Sequence, residues 1–313
     1  MNSFSSVQAE EALQQSRPPA MGHRDAHECA SALVAGDVAG SYQIYAAAAT
    51  WEDRWFCLEY VAKHNAERHG HVIEPSLLDA WVEGWPDHPV PLLMRASVHA
   101  FDGRDASADL ALALALEPDN PLVHGLEIVN RASSGVGDLE TPLAAMLAVE
   151  PLYEPHVHFL RALGPNGGGD LEAALSFARA VDDVVPAGSA LRSMIPLVAI
   201  EAILAEQPSD HLAFLDQLEL RALIMMAAGQ SVFHPAFAGP HSVAGVKAMT
   251  TFVVALVLLG EDDLALMLHR RLDGAFADWP FSLLASPSMA SWNELGRHMA
   301  QNAPTAAAAG NRV

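Results

Sequence analysis

The chain carries 15 histidines in 313 residues, and their spacing is where chemistry would show first. His124, Glu127 and Arg131 recur at i, i+3 and i+7, one stripe of a helix, with Asn130 beside them. A His and a Glu three apart on a helix can both reach one metal ion. His156 and His158 follow Pro155 at a helix start, with Arg161 one turn beyond His158. Two positions apart on a helix they point away from each other, so they would not share a metal. His241 lies in a later segment of unusual composition. Neutral imidazole is both a common metal ligand and a general base near pH 7. His124, Glu127, His156, His158 and His241 therefore form a candidate catalytic or metal-binding set, provided the fold brings them together. The plainer reading of each is a hydrogen-bonded or half-exposed side chain. His64, His69 and His71 fall near the end of one helix and in the loop after it, and the dipole at a helix C-terminus favours His64 and His69 without any ligand. These residues imply no particular cofactor or metal.

Other signatures are absent. The chain has no GxSxG elbow, P-loop, dinucleotide fingerprint or HExxH motif. Gly164 to Gly169 is glycine-rich but joins two helical stretches, without the preceding strand of a phosphate cradle. Cys29 and Cys57 are the only cysteines, too few for a disulfide framework, and Cys57 reads as a small buried residue. Trp51, Trp55 and Leu58 share a helical face and read as core, with Glu52 and Arg54 as surface charges. Thirty-eight acidic and 17 basic side chains leave a net charge of −21, which argues against nucleic-acid binding and against docking on an anionic membrane. The start of the chain has no apolar signal region, and the longest apolar run, Phe252 to Leu259, is far shorter than a membrane span. The expectation is a soluble, cytoplasmic protein.

The elements that must position these residues read as helices. Hydrophobic residues make up 51% and aromatics 7%, so Ala, Leu and Val must build the interior, which suits close-packed helices better than strands. Leu171, Ala174, Leu175, Ala178 and Val181 trace one helical face, and Leu264, Met267, Leu268 and Leu272 another. Asp170 and Ser209 stand where N-caps belong. Pro86, Pro118, Pro151 and Pro186 each close an apolar stretch, at intervals of 32, 33 and 35 residues. After Pro86, Leu92 takes a large apolar position, Ala96 a small one, Gly103 a turn and Ala108 the small position of a second helix. Gly169 to Leu175 (GDLEAAL) repeats the turn and second helix, 17 residues before Pro186, and Gly36-Asp37, Gly137-Asp138 and Gly260-Glu261 look like further turns.

Over residues 25–280 this pattern resembles tetratricopeptide-like helical repeats. Arg95 stands where that family usually has Leu, and His99 where it usually has Tyr. The resemblance implies an all-α solenoid of antiparallel helix pairs, each hairpin burying its apolar face against the next. It places residues 25–300 in one repeat domain, between disordered ends at 1–24 and 301–313. It also implies a concave groove built from first helices, with Val90, Leu93, Ser97, Phe101, Leu122, Gly125 and Val129 facing in.

One region departs from the repeat. Residues 222–246 hold no Asp, Glu, Lys or Arg, and Gly229, Pro235, Gly239 and Pro240 prevent a continuous helix. Phe233, His234 and Phe237 sit in this loop, which either packs over the helices or covers a pocket. The leading expectation is a binding or scaffold protein whose groove holds an apolar peptide, partner protein or small hydrophobic ligand. Leu93, Phe101, Leu122, Val129, Asn130, Arg131, Arg161, Phe233, His234 and Phe237 are its candidate contacts. The alternative is an enzyme or metal-binding protein using the His/Glu set under the late loop. As a third course, the groove could pair with a second copy of the chain.

Overall fold

The computed structural model describes residues 21, 23–66, 73–135, 137–285 and 288–302. The ends expected to be disordered lie almost wholly outside that range, as do His69 and His71. Among the described residues, the α-helices run from Arg24 to Asn302 and there is no strand. The protein is all-α. Its described residues gather into two compact units, His23–Asp170 and a second one beginning at Leu171.

The first unit contains α1 (Arg24–Val34), α2 (Val38–Ala47), α3 (Trp51–Ala66), α4 (Pro75–Gly84), α5 (Pro89–Phe101), α6 (Ser107–Leu116), α7 (Pro121–Ser134), α8 (Glu140–Val149) and α9 (Tyr153–Leu163). Local chemistry sets these boundaries. α4, α5 and α7 start on Pro75, Pro89 and Pro121, where the missing N–H costs nothing. His88 Nδ1 accepts from the Val90 N–H at 3.2 Å and Asn120 Oδ1 from the Leu122 N–H at 2.9 Å, capping α5 and α7. Asp37 caps α2 through the Gly40 N–H at 2.9 Å, just after Gly36 turns the chain at φ +79°. Each of α4, α6 and α8 ends two residues before its proline, at Gly84, Leu116 and Val149.

The odd-numbered helices pack in succession, α1 on α3, α3 on α5, α5 on α7 and α7 on α9, while α6 packs on α5 and α7 and α8 on α7. α5 and α7 are consequently buried almost all round, and α6 and α8 along one side only. Arg95 shows how a charged residue fits an apolar repeat position. Its Nε and Nη2 donate to both oxygens of the buried Asp109 of α6, at 3.0 and 2.7 Å, and Nη1 donates to Asp79 of α4 at 2.8 Å.

Large meets small where α3, α7 and α9 converge. A Cβ placed on Gly125 of α7 would stand 2.7 Å from the Trp55 ring of α3 and 2.8 Å from Pro155 Cγ of α9. Trp55 is 1% exposed. One helical turn earlier, Glu52 Oε1 accepts from the Tyr153 N–H at 2.5 Å and puts a carboxylate on the N-terminus of α9. Glu52 is therefore a helix cap across tertiary structure, and Arg54, expected as its surface companion, lies over the Trp51 ring at 4.9 Å.

The second unit contains α10 (Leu171–Val184), α11 (Met194–Glu206), α12 (His211–Gln217), α13 (Leu220–Gln230), α14 (Val243–Leu258), α15 (Asp262–Leu272), α16 (Asp278–Phe281) and α17 (Met289–Asn302). Asp210, one residue after the expected Ser209, caps α12 through the Ala213 N–H at 3.0 Å. The two residue types cap equally well, so composition alone could not place the start. α14 is buried from Val246 to Leu256 and packs on α11, α15 and α16. Trp292 of α17 stacks between His269 and Phe276, at ring distances of 4.5 and 5.0 Å.

Gly125→Val tests the convergence of α3, α7 and α9. Overpacking there costs about 2–3 kcal/mol, so urea unfolding should show that loss, whereas Gly84→Val, with open space at its Cβ position, should lose nothing and gain at most the helix-propensity difference of a few tenths of a kcal/mol.

Candidate functional site

A pocket of about 230 Å³ opens where the last turns of three odd-numbered helices meet. α5 contributes Ala100 and Phe101, α7 contributes Val129, Ala132 and Ser133, and α9 contributes His158, Arg161 and Ala162. Asn166 and Gly167, from the short 3-10 turn Pro165–Gly167, complete the rim. The repeat spacing puts these residues together. Ala100 and Ser133 are 33 residues apart and each stands one residue before the end of its helix, so α5 and α7 present equivalent last-turn positions to one hollow; Val129 and Ala162 are also 33 apart.

The walls are mostly apolar, with polar groups committed to holding the helices. Ser133 Oγ donates to the Val129 carbonyl at 2.6 Å and reaches the Ala100 carbonyl of α5 at 3.1 Å. The glycine run folds back on α9. A Cβ on Gly167 would stand 2.3 Å from the Arg161 carbonyl, and one on Gly169 would stand 2.0 Å from that of Leu163. These glycines let the loop backbone lie close against the last turn of α9, in keeping with the missing strand of a phosphate cradle.

His158 forms the aromatic wall. Its ring meets Phe101 edge-on, with centroids 5.6 Å apart at 85°, and its Nε2 lies 4.0 Å from Glu154 Oε2. Its side chain keeps 25% exposure. Burial pushes the imidazole down to about 4, against the pull of Glu154 and Glu59. At neutral pH His158 is thus an uncharged ring. Arg161 is the exposed cation at the pocket edge, in the last turn of α9, where a positive charge suits the dipole.

Four residues singled out by sequence, Phe101, Val129, His158 and Arg161, come together here. The others do not join them. Leu93 and Leu122, expected to face a groove, are fully buried in α5 and α7. Asn130 Oδ1 accepts from the Ala106 N–H at 3.0 Å and so caps α6 from α7. Arg131 pairs with Glu127 on its own helix and donates to the Asp138 carbonyl. His124 is buried in α7. His156 is buried too, with its Nδ1 2.6 Å from the Leu152 carbonyl, and burial lowers its pKa. His241, Phe233, His234 and Phe237 belong to the second unit.

There the late loop is pinned to its surroundings. The Gly188 N–H donates to the Gln230 carbonyl at 2.7 Å, and Ser231 Oγ donates to the Ser189 carbonyl at 2.8 Å. Arg271 donates to the Val232 carbonyl at 2.5 Å and lies over the buried Phe237 ring at 6.0 Å. His234 Nδ1 accepts from the Ala236 N–H, and His241 is exposed. Among the described residues, no three His, Cys, Asp or Glu side chains are arranged to hold a metal ion.

Sequence reasoning missed Ala100, Ala132, Ser133, Ala162, Asn166 and Gly167. The 33-residue interval was the signal for Ala100, Ser133 and Ala162; Ala132 lies beside Ser133 and has no partner at that interval. Asn166 and Gly167 had no such signal, because they lie in an insertion. Among the described residues, no helix is long and apolar enough to cross a membrane. Comparison with family models, curated proteins and solved structures finds no match.

The state of His158 has a measurable consequence. Its folded pKa lies below the unfolded value of about 6.5, so the unfolded chain takes up the proton first and stability falls as pH drops from about 6.5 toward 4. With its partial exposure discounted, His158 should account for about 1–2 kcal/mol of the loss between pH 7 and pH 5. Urea unfolding of a His158→Gln variant should show a correspondingly shallower loss over that interval.

Proposed function

We propose that the first unit is a short tetratricopeptide-like array and that it works as a binding module, holding one apolar side chain of a peptide or partner protein in the Phe101–His158 pocket. The observation that carries this reading is the meeting of three last turns, from α5, α7 and α9, around a mostly apolar hollow rimmed by Arg161. The alternating packing order of α1 to α9 supports the repeat, since each odd-numbered helix rests on the next.

Size favours a side chain over a larger ligand. The pocket's 230 Å³ falls below the range of about 300–1,000 Å³ typical of sites for drug-sized ligands. A neutral His158 ring beside Phe101 offers an aromatic surface that attracts apolar and aromatic groups without demanding a charge. Residues buried in the cores of α5 and α7, Leu93 and Leu122 among them, would set the pocket's shape without touching what it holds.

The test is methyl-detected NMR of the full chain, titrated with N-acetyl-phenylalanine amide and N-acetyl-leucine amide. Shifts should concentrate on Ala100, Val129, Ala132 and Ala162. Ala132→Trp, which fills the hollow from a half-buried position, should abolish them, and Phe101→Ala should weaken them about tenfold, or about 1.4 kcal/mol. Shifts scattered over the surface, or unchanged in Ala132→Trp, would sink the reading.

A further inference from the structure

Among the described residues of the first unit, the large apolar side chains left exposed are Trp85, Leu112, Leu116, Leu147 and Val149. Four of the five lie on α6 and α8, both seated on α7, and Trp85 directly follows α4. α6 (SADLALALAL) is apolar on every side. Leu110 and Ala113 pack inward, while Ala108, Ala111, Leu112, Ala115 and Leu116 face out at i, i+3, i+4, i+7 and i+8. Asp109, the single charge on α6, is turned in and held by both arms of Arg95. Leu112 keeps 56% exposure and Leu147 47%, with Ala144 and Ala148 beside Leu147 on α8. A helix apolar all round belongs in an interface, and small residues between the leucines let a second helix come close.

Charge decides what kind of helix. Asp105, Glu117 and Asp119 bracket α6, and Asp138, Glu140 and Glu150 bracket α8. From Asp105 to Leu160 the sequence holds a single Lys or Arg, Arg131, and that guanidinium is paired with Glu127. Each outer face is thus an apolar strip with acidic ends, and the cations near them in sequence are already committed, Arg131 to Glu127 beside Asp138 and Arg104 to Asp102. A second copy of the chain would bring the same acidic ends to the same place, and an anionic lipid surface would be repelled. A helix with an apolar stripe flanked by Lys or Arg satisfies both halves of the pattern. We propose that the outer faces of α6 and α8 form a second docking surface, separate from the Phe101–His158 pocket, for a cationic amphipathic helix of a partner protein.

Fluorescence anisotropy of the full chain with a labelled synthetic helix, a leucine stripe flanked by lysines, tests this. Its twin with glutamates in place of lysines is the control. The lysine helix should bind and weaken steeply with added salt, and the glutamate twin should not bind. Leu112→Gln with Leu147→Gln, which leaves every charge and every buried residue in place, should weaken binding about tenfold or more. Ala132→Trp in the pocket should leave it unchanged. Undiminished binding by the double variant would reduce the effect to attraction by the net charge and overturn the proposal. So would loss of binding in Ala132→Trp, or equal binding of the glutamate twin. Sedimentation showing a dimer that the double variant dissolves would assign the face to a second copy instead.

Discussion

The first unit is organised around one close contact, the Trp55 ring of α3 lying against the bare backbone of Gly125 in α7. The Trp55 ring is buried here because Gly125 offers no side chain, and Gly125 offers none to Pro155 of α9 either. Three helices are fixed by that one position. Glu52, on the same helix as Trp55, then secures the first turn of α9. With its N-terminus held by Glu52 and Pro155 held against Gly125, α9 is set so that its C-terminal half, with His158 and Arg161, reaches the ends of α5 and α7. The pocket follows from how the far ends of these helices are anchored.

Much of this architecture was legible. Prolines and glycines act through their own backbones, so Pro86, Pro118 and Pro151 could be read as helix stops and Gly36 and Gly103 as turns, without knowing what packs on what. The register of the inner helices was not legible in the same way. Leu93 and Leu122 have the residue types of a groove wall and of a core alike, and only the closeness of neighbouring helices decides between the two. Gly125 carried that closeness, yet a helical glycine can equally line a groove. Arg95, an apparent departure from the repeat, is reconciled by Asp109 and Asp79, partners 14 and 16 residues away that no local pattern connects to it.

The histidines show the same limit from the side of chemistry. Their number suggested convergence, but the fold spends them separately on backbone and aromatic contacts. His23 accepts from the Ala26 N–H at the start of α1, and His88 caps α5. His156 meets the Leu152 carbonyl, and His269 lies 2.8 Å from the Trp292 carbonyl while stacking on its ring. Imidazole serves as cap, hydrogen-bond partner and flat apolar plate in turn. In a chain with two lysines and few tyrosines it covers jobs that those residues often do. His158 lines the pocket, where burial lowers its pKa and its ring meets Phe101 edge-on.

The inner and outer helices of the first unit differ because of where their polar atoms go. α5, α7 and α9 bring their last carbonyls toward the pocket, so Ser133 and the glycine run are used to satisfy or approach them, and what remains for a ligand is shape. α6 and α8 present their sides. Their backbone groups are satisfied within each helix, and their outward side chains carry almost no charge. A surface of that kind has little to select with except apolar area and the sign of the charges at its ends. The inner pocket is thus shaped and mostly apolar, and the outer faces are apolar with acidic ends; both properties follow from packing the odd-numbered helices so tightly that the even-numbered ones are left half uncovered.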